Sequence, residues 1–215
     1  MTELGDWAIR YSPTLKCIHL PDSITIVGYR GCSRNEVATA IRLGSGMTTL
    51  GDYAFAQNTM VKYMCLQGNS ETKGSRIFDA CSNVEYISFN GIAELGSYAC
   101  SQCYSLVKVD LPDTLTAIHN HAFVNISTLK SIKIPSSVET IGDGAFVGCT
   151  ALKTVYIDSP TIAATPVYAS GCGSLLANAK YVYVKDDITE ICPYITNYFT
   201  KTSELEGYML YIRNE

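Results

Sequence analysis

The 215-residue chain is sparing with charge: Asp, Glu, Lys and Arg make up 17% of it, and the net charge is −4. Its basic residues form no cluster along the sequence, which argues against electrostatic binding to nucleic acid. No apolar run approaches the ~18 residues of a membrane-spanning helix. The first residues lack a basic stretch followed by an apolar one, so they show no secretion signal. Histidine is scarce, and none of His19, His119 and His121 has a Ser or Cys nucleophile placed beside it by spacing. Neither GxxxxGK[ST] nor GxGxxG occurs. These absences predict a chain that is not an enzyme, with no cofactor and no metal.

What the sequence has is a repeat. Anchors at Leu15, Ala38, Val61, Val84, Leu106, Leu129 and Leu152 are 23, 23, 22, 23, 23 and 23 residues apart. A fixed period in the twenties predicts a solenoid. Six residues before each anchor stand Ile9, Cys32, Phe55, Phe78, Cys100, Phe123 and Phe146, preceded by Ala8, Gly31, Ala54, Ile77, Ala99, Ala122 and Ala145. Ten before stand Gly5, Gly28, Gly51, Gly74, Gly96, His119 and Gly142. Apolar residues three and five places after each anchor, such as Ile132 and Ile134, alternate as a strand does.

Each column predicts a local structure. The glycines imply positive φ or a close approach of backbone. The next position holds Asp6, Asp52, Ser75, Ser97, Asn120 and Asp143. These are helix N-cap types, so a short helical turn is expected to begin there. The Phe column is expected to stack in file along the axis, with small Ala beside it to let coils approach. Three before the anchor stand Asn35, Asn58, Cys81, Cys103 and Cys149. The cysteines of the internal columns read as small buried hydrophobes, and a total of nine fits a disulfide framework poorly. Cys100 and Cys103 form a CxxC that the repeat itself explains. A bridge between Cys81 and Cys103 is conceivable on stacking distance, and Cys17 and Cys65 fall on outward positions.

The run IPSSVETIGDGAFVGCTALKTVYI, residues 134–157, resembles the BspA-like leucine-rich repeat. The likeness covers residues 1 to about 184 through its joint Gly, Ala-Phe, Cys and Leu columns. It implies an α/β solenoid: a right-handed, curved stack of about eight coils with a parallel sheet on one face and short helical turns on the other. The resemblance also implies a surface or secreted protein of adhesive type, and it brings no catalytic motif.

Residues 4–15 align with 141–152, so the chain opens in mid-repeat and reads as a fragment of a longer protein. QGNSETKGSR, residues 67–76, is the poorest copy, with Ser70 and Lys73 in apolar columns; it is expected to bulge outward and be mobile. After Ile157 the period slips, and the next strand begins four residues late at Ala179, with Val182 and Val184 inward. The expected division is a solenoid over 1–184 and a C-terminal cap over 185–215, with a helix near Pro193 and a strand over 208–212.

Between the inward positions of each strand lie two outward columns. One runs Cys17, Ala40, Tyr63, Tyr86, Lys108, Ser131, Thr154, Tyr181; the other His19, Arg42, Cys65, Ser88, Asp110, Lys133, Tyr156, Tyr183. The candidate binding face is Tyr63, Tyr86, Lys108, Asp110, Lys133, Tyr156, Tyr181 and Tyr183, and its partner a protein or glycan. Tyr is also a good strand former, so the same column suits a structural spacer. A receptor-binding component of a viral or tail assembly is the third reading. No membrane span and a monomer are expected.

Overall fold

The structure, a computed structural model, describes residues 1–68, 74–164 and 172–214. Ser70 and Lys73, on which the expected bulge rests, lie outside the described residues. The chain winds through about seven turns, rather than about eight. The strands that follow the seven anchors are β2 (Cys17–His19), β4 (Ala40–Arg42), β6 (Tyr63–Leu66), β7 (Tyr86–Phe89), β9 (Lys108–Asp110), β11 (Ser131–Ile134) and β13 (Thr154–Ile157), and β14 (Tyr181–Lys185) continues the series where the period slips. Two-residue strands β1 (Glu3–Leu4), β3 (Ile26–Val27), β5 (Thr49–Leu50), β8 (Glu94–Leu95), β10 (Ala117–Ile118) and β12 (Thr140–Ile141) form a second edge to the coils. Among these strands the pairing is parallel, and the register joins the columns read from sequence: Tyr63 to Tyr86 to Lys108, and Ser131 to Thr154 to Tyr181.

The inward columns make one continuous core. Phe55, Phe78, Phe123 and Phe146 are all but completely buried. Phe55 stacks on Phe78 with ring centres 6.0 Å apart, and Phe123 on Phe146 at 5.2 Å. Cys100 occupies the position between Phe78 and Phe123. Burying each ring stabilises the stack by roughly 1.5–3 kcal/mol.

The glycine column does not adopt positive φ, which corrects the first of the two reasons expected for it. The second holds. A Cβ on Gly51 would lie 2.6 Å from Gly28 C, and one on Gly96 would collide with Gly74 O. Gly5, in the first coil described, would meet nothing within 4 Å. Close stacking of coils is therefore what excludes a side chain.

Positive φ appears elsewhere, twice per coil. Trp7, Arg30, Tyr53, Arg76, Tyr98, His121 and Gly144 form one left-handed column. Tyr11, Arg34, Gln57, Ala80, Gln102, Asn125 and Gly148 form the other. Each coil here is a pair of reverse turns in place of the helical turn expected. Ala8 N donates back to Gly5 O within its coil, and Trp7 N donates across to Tyr29 O of the next. The expected N-caps also act between coils. Asp6, Asp52 and Asn120 use Oδ1 to accept from the backbone N–H of Tyr29, Ser75 and Asp143, each 23 residues on. The N–H of each left-handed residue crosses to the neighbouring coil, as Arg30 N does to Asp52 O, while the N–H after it closes the turn within its own coil, as Gly31 N does to Gly28 O.

Apart from the buried Ile126, the column three before the anchor supplies side-chain donors at Asn35, Asn58, Cys81, Cys103 and Cys149. Asn58 Nδ2 donates to Cys32 O and Phe55 O. Cys81, Cys103 and Cys149 direct their thiols at Phe55 O, Phe78 O and Phe123 O at 3.1–3.3 Å. The thiol stands in for the amide as a donor to these buried carbonyls, of which Phe55 O also accepts from Asn58 Nδ2 and Phe78 O from Cys81 N. Cys81 and Cys103 are both free thiols, so the conceivable bridge between them is not formed. Cys17 is exposed as expected, while Cys65 is half-buried beneath Gln67 and Asn90.

Past β13 come α1 (Pro160–Ala164), α2 (Cys172–Leu176) and, after β14, α3 (Pro193–Tyr198). Proline opens α3 at its first turn, where a missing N–H costs nothing. Strands β15 (Phe199–Leu205) and β16 (Tyr208–Arg213) form a hairpin, and β16 pairs antiparallel with β14. Tyr211 is buried, and the Arg213 side chain folds back to donate to Ala179 O and Leu176 O.

Candidate recognition face

The strand face is not one sheet. Strands β2, β4, β6, β7 and β9 form one, and β11, β13, β14, β16 and β15 another, with no pairing between β9 and β11. On the opposite side the same coils stay joined: Tyr98 N donates to Asn120 O and Cys100 N to Ala122 O. The opening is thus a seam confined to the strand face.

A cleft of ≈ 310 Å³ lies along it, lined by Lys108, Val109, Asp110, Ser131, Ile132, Lys133, Tyr156 and Tyr208. Four of the eight residues proposed from sequence line this cleft. The other four flank it, Tyr63 and Tyr86 on one sheet, Tyr181 and Tyr183 on the other.

The charged groups of the seam pair away from it. Tyr86 donates its hydroxyl to Asp110 Oδ2 at 2.5 Å, and Lys108 Nζ lies 3.4 Å from the same oxygen. The bond to Asp110 pushes the Tyr86 hydroxyl above the usual phenol range. Across the cleft, Lys133 Nζ meets Asp158 Oδ2 at 2.8 Å, and Tyr208 donates to Asp158 Oδ1 at 2.7 Å. The hydrogen bond to Asp158 raises the Lys133 ammonium, while burial and then the same carboxylate raise the Tyr208 hydroxyl. Asp110 and Lys133 hold equivalent places in successive coils, yet each is satisfied by its own sheet. The result is two charged walls with an aromatic end.

The tyrosines differ in freedom. Tyr63 is 62% exposed, and Tyr86 is half-buried. Tyr156 stacks on Tyr183 at 4.6 Å, and Tyr208 presses edge-on against both. The hairpin therefore covers part of the face that the sequence left open. Tyr208 is the site residue the columns missed, because it lies outside the repeat. Its signal was the YMLYI pattern read only as a covering strand.

A second feature runs down the left-handed column. Arg30 lies over the rings of Trp7 and Tyr53 at 5.5 and 4.4 Å, and Arg76 over Tyr53 and Tyr98 at 5.8 and 4.1 Å. Tyr98 then stacks flat on His121 at 4.9 Å. The series ends on Gly144, where a Cβ would meet His121 Nε2 at 2.8 Å. Each cation–ring contact is worth about 0.5–1 kcal/mol at such half-exposed sites, so the series braces the coils. His121 is occupied by this stack, and His119 Nε2 lies 3.0 Å from Glu94 Oε2. Among the described residues no His, Cys, Asp and Glu converge as a metal site, and no helix is long and apolar enough to cross a membrane.

The family model for the BspA-type leucine-rich repeat region matches residues 1–99 and 93–206, in six copies. The chain belongs to the BspA-type leucine-rich-repeat family. Among solved structures it is similar to a leucine-rich cell surface protein from Faecalibacterium prausnitzii, at 25% identity and a TM-score of 0.64, over 74% of this chain and 43% of that one. It thus spans less than half the length of that protein. A leucine-rich repeat protein of T. pallidum matches at 21% identity and a TM-score of 0.49, over 77% of this chain and 70% of that one. One from Bacteroides ovatus matches at 19% and 0.45, over 89% and 60%. No curated protein matches the chain.

Proposed function

We propose that this chain is a non-catalytic recognition module of a surface or secreted protein, holding a protein or glycan ligand on its strand face. Residues 1–184 are the recognising solenoid and 185–215 its cap. The observation that carries the reading is the seam between β9 and β11, where residues chosen from the outward columns line an open cleft. Family membership supports it, as does likeness to a protein described as a cell surface protein.

Packing of Tyr208 on Tyr156 and Tyr183 favours a structural role for those two rings, as the spacer reading holds. Binding then rests mainly on Tyr63, Tyr86, Lys108, Asp110 and Lys133. The test is retention of the chain on an array of matrix proteins and glycans. Tyr63→Ala with Tyr86→Ala, and separately Lys108→Ala with Lys133→Ala, should each reduce retention at least fivefold while the melting temperature stays near that of the parent. If both double variants keep the full set of array ligands, the face is not the site.

A further inference from the structure

The seam between β9 and β11 is longer than the cleft at its aromatic end. A second hollow of ≈ 260 Å³ shares Val109, Asp110 and Lys133 with the first, so the two run on from one another along the strands. Tyr156 and Tyr208 line the first, Leu111 and Pro135 the second. The slot is tied at both ends. Thr128 Oγ1 donates to Leu106 O at 2.8 Å before the strands, and Ser137 Oγ to Leu115 O at 2.7 Å after them.

Backbone groups stand open along the slot. Thr154 N reaches Lys130 O of the coil before it, whereas Ser131 N, at the same place, makes no backbone bond among the described residues. Leu20 N reaches Arg42 O of the coil after it, whereas the equivalent Leu111 N makes none. Asn90 N and Asp158 N donate back to Leu66 O and Ile134 O. Pro135 stands at that place in its coil and has no N–H to offer Leu111 O. Donor and acceptor therefore face each other across the gap twice, Ser131 N against Val107 O and Leu111 N against Lys133 O.

An occupant must donate and accept together, and it must do so without net charge, since Lys108 is balanced by Asp110 and Lys133 by Asp158. A hydroxyl does both at once; a carboxylate only accepts and an ammonium only donates. A peptide strand also does both, but pairing with the two edges needs about 4.8 Å on either side of it. The ties at Thr128 and Ser137 do not leave that room. At each end the apolar lining suits the C–H faces of sugar rings.

We infer that the seam binds a neutral glycan laid along the strands, its hydroxyls bridging the open groups of the two coils. Its apolar faces lie toward Tyr156 and Tyr208 at one end and Leu111 and Pro135 at the other. This names a ligand class for the cleft and rests on the recognition reading above.

The test is titration calorimetry of the whole chain with hexasaccharides of glucose, mannose, xylose and N-acetylglucosamine, set against hexagalacturonate, hexaglucosamine and hexaserine. At least one neutral hexasaccharide should bind more tightly than all three controls, with an affinity that moves less than about twofold between low and high salt. Ser131→Trp, which fills the first hollow from an exposed position, should weaken that binding about tenfold or more. Val147→Trp adds the same bulk at an exposed site off the strand face and should leave affinity and melting temperature near those of the parent. By NMR-detected exchange, the Ser131 and Leu111 amide protons should exchange faster than that of Thr154 in the free chain and slow when the glycan binds. No binding by any neutral hexasaccharide, equal binding of a control, unchanged affinity in Ser131→Trp, or Ser131 and Leu111 amides indifferent to the bound glycan would each overturn the inference. Failure here alongside lost array retention in the Tyr63/Tyr86 variant would remove only the ligand class; full retention by both double variants would remove the face itself.

Discussion

Replacing Gly51 with Ala sets a methyl group against the backbone of the preceding coil. Its Cβ would lie 2.6 Å from Gly28 C, 2.7 Å from Tyr29 N and 2.9 Å from Gly28 O. Carbon contacts settle at about 3.5–4.0 Å, so the two coils must part by roughly 1 Å. That separation strains the bonds Gly51 N to Val27 O and Arg30 N to Asp52 O, which tie the coils on both sides of the contact. Overpacking of this kind costs about 1–3 kcal/mol, against a gain of ~0.4–1 kcal/mol from a stiffer unfolded chain. Gly5→Ala is the matched control, because its Cβ meets nothing and only the gain remains. Urea denaturation followed by circular dichroism should show Gly51→Ala destabilised by about 1–2 kcal/mol and Gly5→Ala unchanged or slightly stabilised. Equal shifts for the two variants would refute close stacking as the reason for the column.

Phe146→Ala should cost about 3–5 kcal/mol, because the ring is fully buried and stacked on Phe123; a melting temperature close to that of the parent would contradict the axial file. Burial pushes Cys32 and Cys81 up to about 12 and Cys149 to about 11, from an ordinary value of 9.0. A raised thiol contributes stability that is present below pH 9 and is lost as pH climbs toward those values, since only the unfolded chain then ionises. Thiolate absorbance of the folded protein should accordingly stay low for these three at pH 10, and denaturant should release it; three thiolates titrating near pH 9 in the folded chain would disprove their burial.

The repeat made the core legible because burial recurs at a fixed spacing. Each Phe, Ala and Leu column announces itself several times over, so one ambiguous member such as Cys100 does no harm. Glycine was legible as a constraint but not as to its cause: the sequence cannot distinguish a twisted backbone from a crowded one, and here the twist falls two residues later, on Arg30, Tyr53 and Tyr98. Those large side chains gave no turn signal, because the coil-to-coil hydrogen bonds impose their conformation. The donor role of Cys103 was hidden for a related reason, since a thiol in an apolar column looks like a small hydrophobe until the carbonyl opposite it is seen. At the face, outward positions followed from strand alternation, whereas the seam and Tyr208 depend on how coils meet and on chain outside the period.

With β9 and β11 unpaired on one side and their coils laced together on the other, the seam has the geometry of a book held at its spine. Bending that fans the strand edges apart there breaks no backbone ladder, while the same bend anywhere else in either sheet must. Flexure of the rod therefore concentrates between Asp110 and Lys133, so a bulky guest can be admitted or gripped by widening a gap that already exists.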